Sequence, residues 1–149
     1  MTENRVQNLH FDVKASSKTP TETLVETPGS EFLVKEHKGL NNPENRVNPE
    51  QYFLGSLAGC ICRMAHVVAY EKGIELKKLR LNIGGNIDPS KFRGENNEER
   101  SGFKELNIKI DAETEVSEES MKEWLEEVEN RSQIIDSLEN SVELNLQLS

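Results

Sequence analysis

The segment that decides the fold is NPEQYFLGSLAGCICRMAHVVAYEKG, residues 48–73. Asn48 suits a helix N-cap, Pro49 suits the first turn, and Gly73 suits a stop just past the C-terminus. These signals predict a helix over 49–72, roughly six to seven turns long. Its apolar residues are Tyr52, Phe53, Leu54, Leu57, Ala58, Ile61, Met64, Ala65, Val67, Val68 and Ala69. They cover nearly the whole circumference, so we expect a central helix surrounded by protein.

Two glycines interrupt this helix, at Gly55 and Gly59. Glycine in a helix costs stability but lets another backbone approach closely. The sequence therefore predicts a helix–helix crossing at that level.

The rest of the chain alternates between strand, loop and helix signals. Period-two alternation predicts half-buried strands near 5–13, 32–36, 79–88, 103–115 and 142–148. Polar stretches at 14–30 and 90–102 predict turns and loops. A second helix is predicted over 118–130, after a Ser117 cap, with an apolar stripe of Met121, Trp124, Leu125 and Val128. Together these elements predict one α+β domain over residues 1–149.

Composition limits the classes of partner. The chain carries 27 acidic against 18 basic residues, a net charge of −9, which disfavours nucleic acid. No run of eighteen apolar residues and no signal-like N-terminus are present, so we expect a cytoplasmic protein that does not associate with membranes. The hydrophobic fraction of 34% is low for a globular domain. A homodimer would bury the apolar surface that one chain lacks.

The two cysteines, Cys60 and Cys62, are too close in sequence for a loop-closing disulfide and are expected to be reduced thiols. The histidines at 10, 37 and 66 do not cluster with them as zinc ligands do, so no metal or other cofactor is predicted. Cys62 and His66 share a helix face at i, i+4, which fits incidental packing, a thiolate–imidazolium pair or two metal ligands.

The run from Asn48 to Cys60 closely resembles the signature helix of the OsmC/Ohr family, thiol proteins that include organic-hydroperoxide reductases. The resemblance extends through residues 73–76, 100–103 and 131–138 and covers about two thirds of the chain. It implies an OsmC-like fold in which sheets wrap a long buried central helix, assembled as an intertwined homodimer. It also implies two active sites at the subunit interface.

The resemblance assigns roles to individual residues. A cysteine at the position of Cys60 attacks a peroxide as thiolate and becomes a sulfenic acid. Glu50 matches a glutamate that holds an activating arginine. Because Glu50 lies ten residues before Cys60, about 15 Å along one helix, the two can pair only across a dimer.

This chain departs from the family pattern at two positions. The family's arginine comes from the N-terminal strands, where residues 26–30 contain none. Arg46 is the first candidate to replace it, with Arg63, Arg5 and Arg100 as alternatives. The family's second, resolving cysteine is matched by Ser132.

A serine at that position cannot form the resolving disulfide. Cys62 is not a substitute, because two helical residues rotate its side chain by about 200° away from Cys60. The resemblance thus implies an organic-hydroperoxide reductase whose Cys60 is recycled by an external thiol. The alternatives are a non-catalytic binder of a small apolar ligand at the dimer interface, and a purely structural dimer.

Overall fold

The computed structural model describes residues 8–36, 47–95 and 98–149, which form five strands and three helices. The elements in chain order are β1 (Lys14–Thr19), β2 (Glu22–Thr27), β3 (Ser30–Lys35), α1 (Pro49–Lys72), β4 (Lys78–Gly84), β5 (Asn107–Glu113), α2 (Glu118–Arg131) and α3 (Gln133–Glu139). This mixture confirms the predicted α+β class. The chain divides into two compact units, Met1–Tyr52 and Phe53–Ser149, each described by itself below.

Helix α1 begins and ends where the sequence predicts. At its start, Asn48 Oδ1 accepts from the Gln51 amide at 2.8 Å, and Gln51 Oε1 accepts from the Asn48 amide at 3.1 Å. This reciprocal capping box satisfies two helix N-terminal amides. At its end, Gly73 has a φ of +67°, and the Ile74 amide donates to the Ala69 carbonyl at 2.8 Å. That is a Schellman stop, which favours glycine because the backbone is left-handed there.

The first unit contains an antiparallel sheet in the order β1-β2-β3. Tight turns at Pro20-Thr21 and Pro28-Gly29 join its strands. The Tyr52 hydroxyl donates to the Leu33 carbonyl at 3.1 Å, and its ring lies 4.9 Å from that of Phe32. These contacts attach the first turn of α1 to β3.

The first unit corrects two predictions about strands. Residues 14–30, predicted as loop, form β1, β2 and their connection, whereas residues 8–13 of the predicted strand 5–13 form no regular element. The polar composition led to the wrong prediction of a loop. Every residue of β1 is exposed, so neither face of this strand needs apolar side chains. The Thr residues in both strands still favour extended backbone.

The second unit holds the hydrophobic core. One stripe of α1, formed by Leu57, Ile61, Ala65 and Val68, packs with Trp124 and Val128 of α2. The antiparallel β4–β5 ribbon adds partly buried apolar residues to this core. The Trp124 indole Nε1 donates to the Ala65 carbonyl at 3.0 Å in a buried hydrogen bond, which fixes α2 against the middle of α1.

The opposite face of α1 does not match the prediction of a helix enclosed on all sides. Gly55, Gly59, Arg63 and His66 are exposed, and Tyr70 is 88% exposed. A Cβ added at either glycine meets nothing within 4 Å, so within the described chain no backbone crosses there. The apolar residues that surround α1 therefore include some that a single chain leaves uncovered. By length and composition alone α1 also passes as a membrane span, a test that core helices of soluble proteins pass as well.

The C-terminal part of the chain brings two further differences. The alternating segment 142–148 forms no strand in the single chain, and Leu144, Leu146 and Leu148 are fully or largely exposed. Alternation identifies a strand-forming segment but does not supply the strand that pairs with it. On α2, Leu125 is 43% exposed rather than part of the buried stripe. The short helix α3 was not predicted, although Ile134 and Ile135 on it pack against the core.

Candidate functional site

Cys60 lies at the border between the buried and exposed faces of α1. Its side chain is half-buried. Leu57, one turn before it, belongs to the core, and Met64, one turn after it, packs against that core. The thiol therefore has an apolar neighbour on each side along the helix, and its outer side is open.

Leu57 and Met64 form an apolar strip along α1 beside Cys60. Two aromatic rings extend this strip toward the start of the second unit. Phe53, seven residues before Cys60 and thus on nearly the same side of α1, stacks on Phe103 with ring centroids 5.9 Å apart and planes at 15°. Phe103 belongs to the segment 100–103, to which the family resemblance extends. The pair forms an apolar surface two helical turns from the thiol.

Cys62 lies on the other side of the buried stripe and is also a half-buried free thiol. Because α1 is continuous from Pro49 to Lys72, the Cys60 and Cys62 side chains leave the axis about 200° apart. A disulfide between them would require the helix to unwind. His66, one turn after Cys62, is exposed.

Two of the predicted site residues lie outside the described second unit. Glu50 is an exposed carboxylate in the first turn of α1 and falls in the first compact unit. Arg46, the first candidate for the activating cation, lies outside the described residues. Pairing of Glu50 with an arginine across a dimer stays a prediction.

Ser132, at the position of the resolving cysteine, lies between α2 and α3 and has no exposed surface. Its hydroxyl donates to the Val128 carbonyl at 2.5 Å. Trp124, Val128 and Ser132 follow one another at intervals of four residues and are all buried. Ser132 is therefore the last residue of the α2 stripe that packs into the core.

The residue before it, Arg131, makes the most extensive polar contact in the second unit. Its guanidinium donates to both carboxylate oxygens of Glu71 on α1, at 2.5 and 3.1 Å, and lies 3.5 Å from Glu127. The hydrogen bond from Arg131 lowers the pKa of Glu71, and the same bond raises the pKa of Arg131. Sequence analysis missed this pair, because sixty residues separate its members and no local pattern links them.

The described residues contain no group of three or more histidine, cysteine or carboxylate side chains arranged to hold a metal ion.

Comparisons with known proteins show what this chain is similar to. A family model described as OsmC-like protein matches residues 42–147. Comparison with curated proteins finds no match. Among solved structures, an OsmC-like protein from Mycoplasma pneumoniae superposes with a TM-score of 0.75 at 20% identity, over 89% of each chain.

Two other similar structures carry names that refer to hydroperoxides. The organic hydroperoxide resistance protein OsmC from Legionella pneumophila superposes with a TM-score of 0.62 at 16% identity, over 88% of this chain and 91% of that one. The organic hydroperoxide resistance protein OhrB of Bacillus subtilis gives 0.58 at 17%, over 93% and 98%. At these identities the likeness establishes the OsmC-like fold.

Proposed function

Because the chain belongs to the OsmC-like protein family, we propose that it is a thiol-dependent reductase of organic hydroperoxides. Cys60 is the nucleophile in this proposal, and the protein works as a cytoplasmic homodimer. The observation that carries the proposal is the half-buried Cys60 on α1, bordered by apolar side chains and open on its outer side.

The chemistry requires one thiolate and one hydroperoxide. The Cys60 sulfur attacks one peroxide oxygen, an S–O bond forms, and the O–O bond breaks. The leaving alkoxide takes a proton and departs as an alcohol, while the cysteine is oxidised to a sulfenic acid. The partly exposed apolar side chains of Phe53, Met64 and Phe103 favour a hydroperoxide with an apolar organic group, since its burial releases water from both surfaces.

An external thiol completes the cycle. It attacks the sulfenic sulfur, water leaves, and a mixed disulfide forms. A second thiol then releases Cys60 and carries away the oxidising equivalents as a disulfide. Ser132 supports this one-cysteine cycle because a hydroxyl at the resolving position cannot form a disulfide.

The alternative function is a non-catalytic protein that binds a small apolar ligand at the dimer interface. Two observations favour it, namely the absence of arginine from residues 26–30 and the serine at position 132. Both replacements remove catalytic groups and leave the fold unchanged.

Consumption of an organic hydroperoxide in the presence of dithiothreitol tests the proposal. We expect wild type and Cys62→Ser to consume cumene hydroperoxide and Cys60→Ser to be inactive. If activity survives in Cys60→Ser and disappears in Cys62→Ser, the nucleophile is Cys62, on the helix face that it shares with His66. No consumption by wild type would favour the ligand-binding alternative.

A further inference from the structure

We propose that Gly85 positions the Phe103 ring against Phe53, and that this ring pair lets the thiol site distinguish long apolar groups from small ones. The inference rests on the proposed role of Cys60 as the reactive thiol of this site. It assigns to a glycine just past the end of β4 a part in the choice of substrate.

Gly85 follows directly after strand β4, where the segment 103–106 passes close to it. A Cβ added to Gly85 would lie 2.5 Å from the backbone carbonyl oxygen of Glu105. It would also lie 2.8 Å from Leu106 Cδ2 and 3.0 Å from Phe103 Cδ1. Ordinary contacts between carbon atoms are roughly 3.5–4.0 Å long. The segment can therefore hold this position only because residue 85 has no side chain.

The need for glycine at this position is steric. Among the described glycines, Gly73 and Gly94 are the two with a positive φ, so the backbone of Gly85 is not left-handed. Among the glycines of residues 8–36, 47–95 and 98–149, Gly85 is the one at which an added Cβ meets other atoms within 4 Å. The adjacent Gly84 has nothing within that distance and is therefore a natural control.

The Phe103 side chain that lies against Gly85 also reaches the surface beside the thiol. Its ring stacks on Phe53 with centroids 5.9 Å apart. Phe53 precedes Cys60 by seven residues, about 10 Å along α1 and on nearly the same side of the helix. Phe53 is 40% exposed and Phe103 is half-buried, so the pair presents apolar surface to solvent. An apolar group that extends over two helical turns from the Cys60 sulfur can cover this surface.

A methyl group at position 85 would displace the Phe103 ring. Leu106 packs against the hydrophobic core, so its retreat would open a cavity. The Phe103 ring is exposed on one side and is freer to move. Relief of the contacts at Gly85 requires a shift of roughly 1 Å, the difference between the distances there and ordinary contacts. Such a shift changes how the ring meets Phe53.

The test compares two reagents that alkylate Cys60, iodoacetamide and N-decyl iodoacetamide. All proteins carry Cys62→Ser, so that one thiol reacts. The reagents share a reactive group and differ in the apolar chain, so the ratio of their rate constants measures how well the site holds that chain. The proteins compared are the parent, Gly85→Ala, Gly84→Ala and Phe103→Leu.

Gly85→Ala and Phe103→Leu are each expected to lower the ratio of decyl to parent reagent by roughly two- to tenfold, as expected when an aromatic contact is lost. The rate with iodoacetamide itself should stay unchanged, and Gly84→Ala should match the parent in both rates. Phe103→Leu removes the ring without crowding the backbone, so it tests the ring pair even if Gly85→Ala does not fold.

The double variant of Gly85→Ala with Phe103→Leu shows whether Gly85 acts through the ring. If it does, the double variant has the same ratio as Phe103→Leu alone, because there is no ring left to displace. A further loss in the double variant would overturn the positioning role.

Several other results would overturn the inference. These are a parental ratio in Gly85→Ala or in Phe103→Leu, an equal loss in Gly84→Ala, and a fall of both rates by the same factor, which would indicate general damage around the thiol.

Failure of the proposed function has a different signature. In that case the alkylation ratio still falls in Gly85→Ala, while wild type consumes neither tert-butyl hydroperoxide nor decyl hydroperoxide. In an active enzyme, Gly85→Ala should raise the KM for decyl hydroperoxide and leave kcat/KM for tert-butyl hydroperoxide at the parental value.

Discussion

At the scale of single residues, the proposed chemistry depends on the positions of three side chains. Cys60 is open on one side, Cys62 points about 200° away, and Ser132 is fully buried. A serine in a buried polar position needs a hydrogen-bond partner, and Ser132 finds one in the Val128 carbonyl. Replacing the hydroxyl by a thiol changes the volume little and adds reactivity.

We predict that Ser132→Cys creates an internal resolving thiol. After a hydroperoxide converts Cys60 to sulfenic acid, a thiol at position 132 condenses with it, releasing water and forming a disulfide. Peptide mapping without reductant should show the 60–132 crosslink. Ser137→Cys is the matched control, since Ser137 also bonds to a carbonyl four residues earlier but lies on the exposed side of α3. Oxidation of Cys60 with no 60–132 crosslink would mean either that Ser132 does not align with the resolving position or that this chain holds the two positions too far apart.

At the scale of secondary-structure elements, two contacts hold α2 against α1. One is the buried Trp124 hydrogen bond to the Ala65 carbonyl, and the other is the Arg131–Glu71 pair at the end of both helices. The two contacts differ in burial, so they respond differently to mutation and to pH.

Trp124→Phe is predicted to keep the aromatic packing and lose the indole hydrogen bond. We expect the free energy of unfolding to fall by about 1–2 kcal/mol, whereas Trp124→Ala should cost about 3–5 kcal/mol because it also leaves a cavity. Urea denaturation measures both. Equal losses in the two variants would mean that packing contributes nothing beyond the hydrogen bond, contrary to the buried position of the ring.

Removal of the Glu71 charge is predicted to change how stability depends on acid. The pKa of Glu71 in the folded state is lowered by the hydrogen bond from Arg131. A lowered folded pKa gives stability that is present above the ordinary value of 4.5 and is lost as pH falls through the lowered value. Wild type should therefore exceed Glu71→Gln in stability at pH 6, and the difference should shrink below pH 4.5. A difference that is constant from pH 6 to pH 3 would contradict this linkage.

The elements also show how far sequence reasoning extends. The bounds of α1 follow from local signals, a capping box at Asn48 and a Schellman stop at Gly73, and both are present in the structure. The hairpin within 14–30 was missed because an exposed strand has no need of the apolar alternation by which strands are recognised. The Arg131–Glu71 pair depends on tertiary packing, which no local pattern encodes. For the site, sequence resemblance assigns Cys60, but the half-buried position of its thiol becomes visible only in the fold.

At the scale of the whole molecule, several apolar segments of the single chain remain uncovered. Leu144, Leu146 and Leu148 alternate along the C-terminal segment, and Leu9 and Phe11 are exposed near the start of the described chain. Exposed apolar residues with strand periodicity are typical of segments that pair with another chain. They support the proposed homodimer.

We predict that the protein is a dimer in solution and that Leu144→Glu with Leu146→Glu shifts it toward monomer, because the two charges would be buried without partners. Light scattering coupled to size exclusion measures the mass. Lys109→Glu is a control for added negative charge on an exposed strand position. A wild-type protein that is monomeric at micromolar concentration would remove the interface on which the proposed site depends.

The most direct test of the central claim is the mass of the protein after reaction with one equivalent of cumene hydroperoxide, with dimedone present to trap sulfenic acid. We predict one dimedone adduct per chain in wild type and in Cys62→Ser, located by peptide mapping at Cys60, and none in Cys60→Ser. An unmodified Cys60, or an adduct at Cys62 instead, would contradict the assignment of Cys60 as the thiol that reduces hydroperoxides.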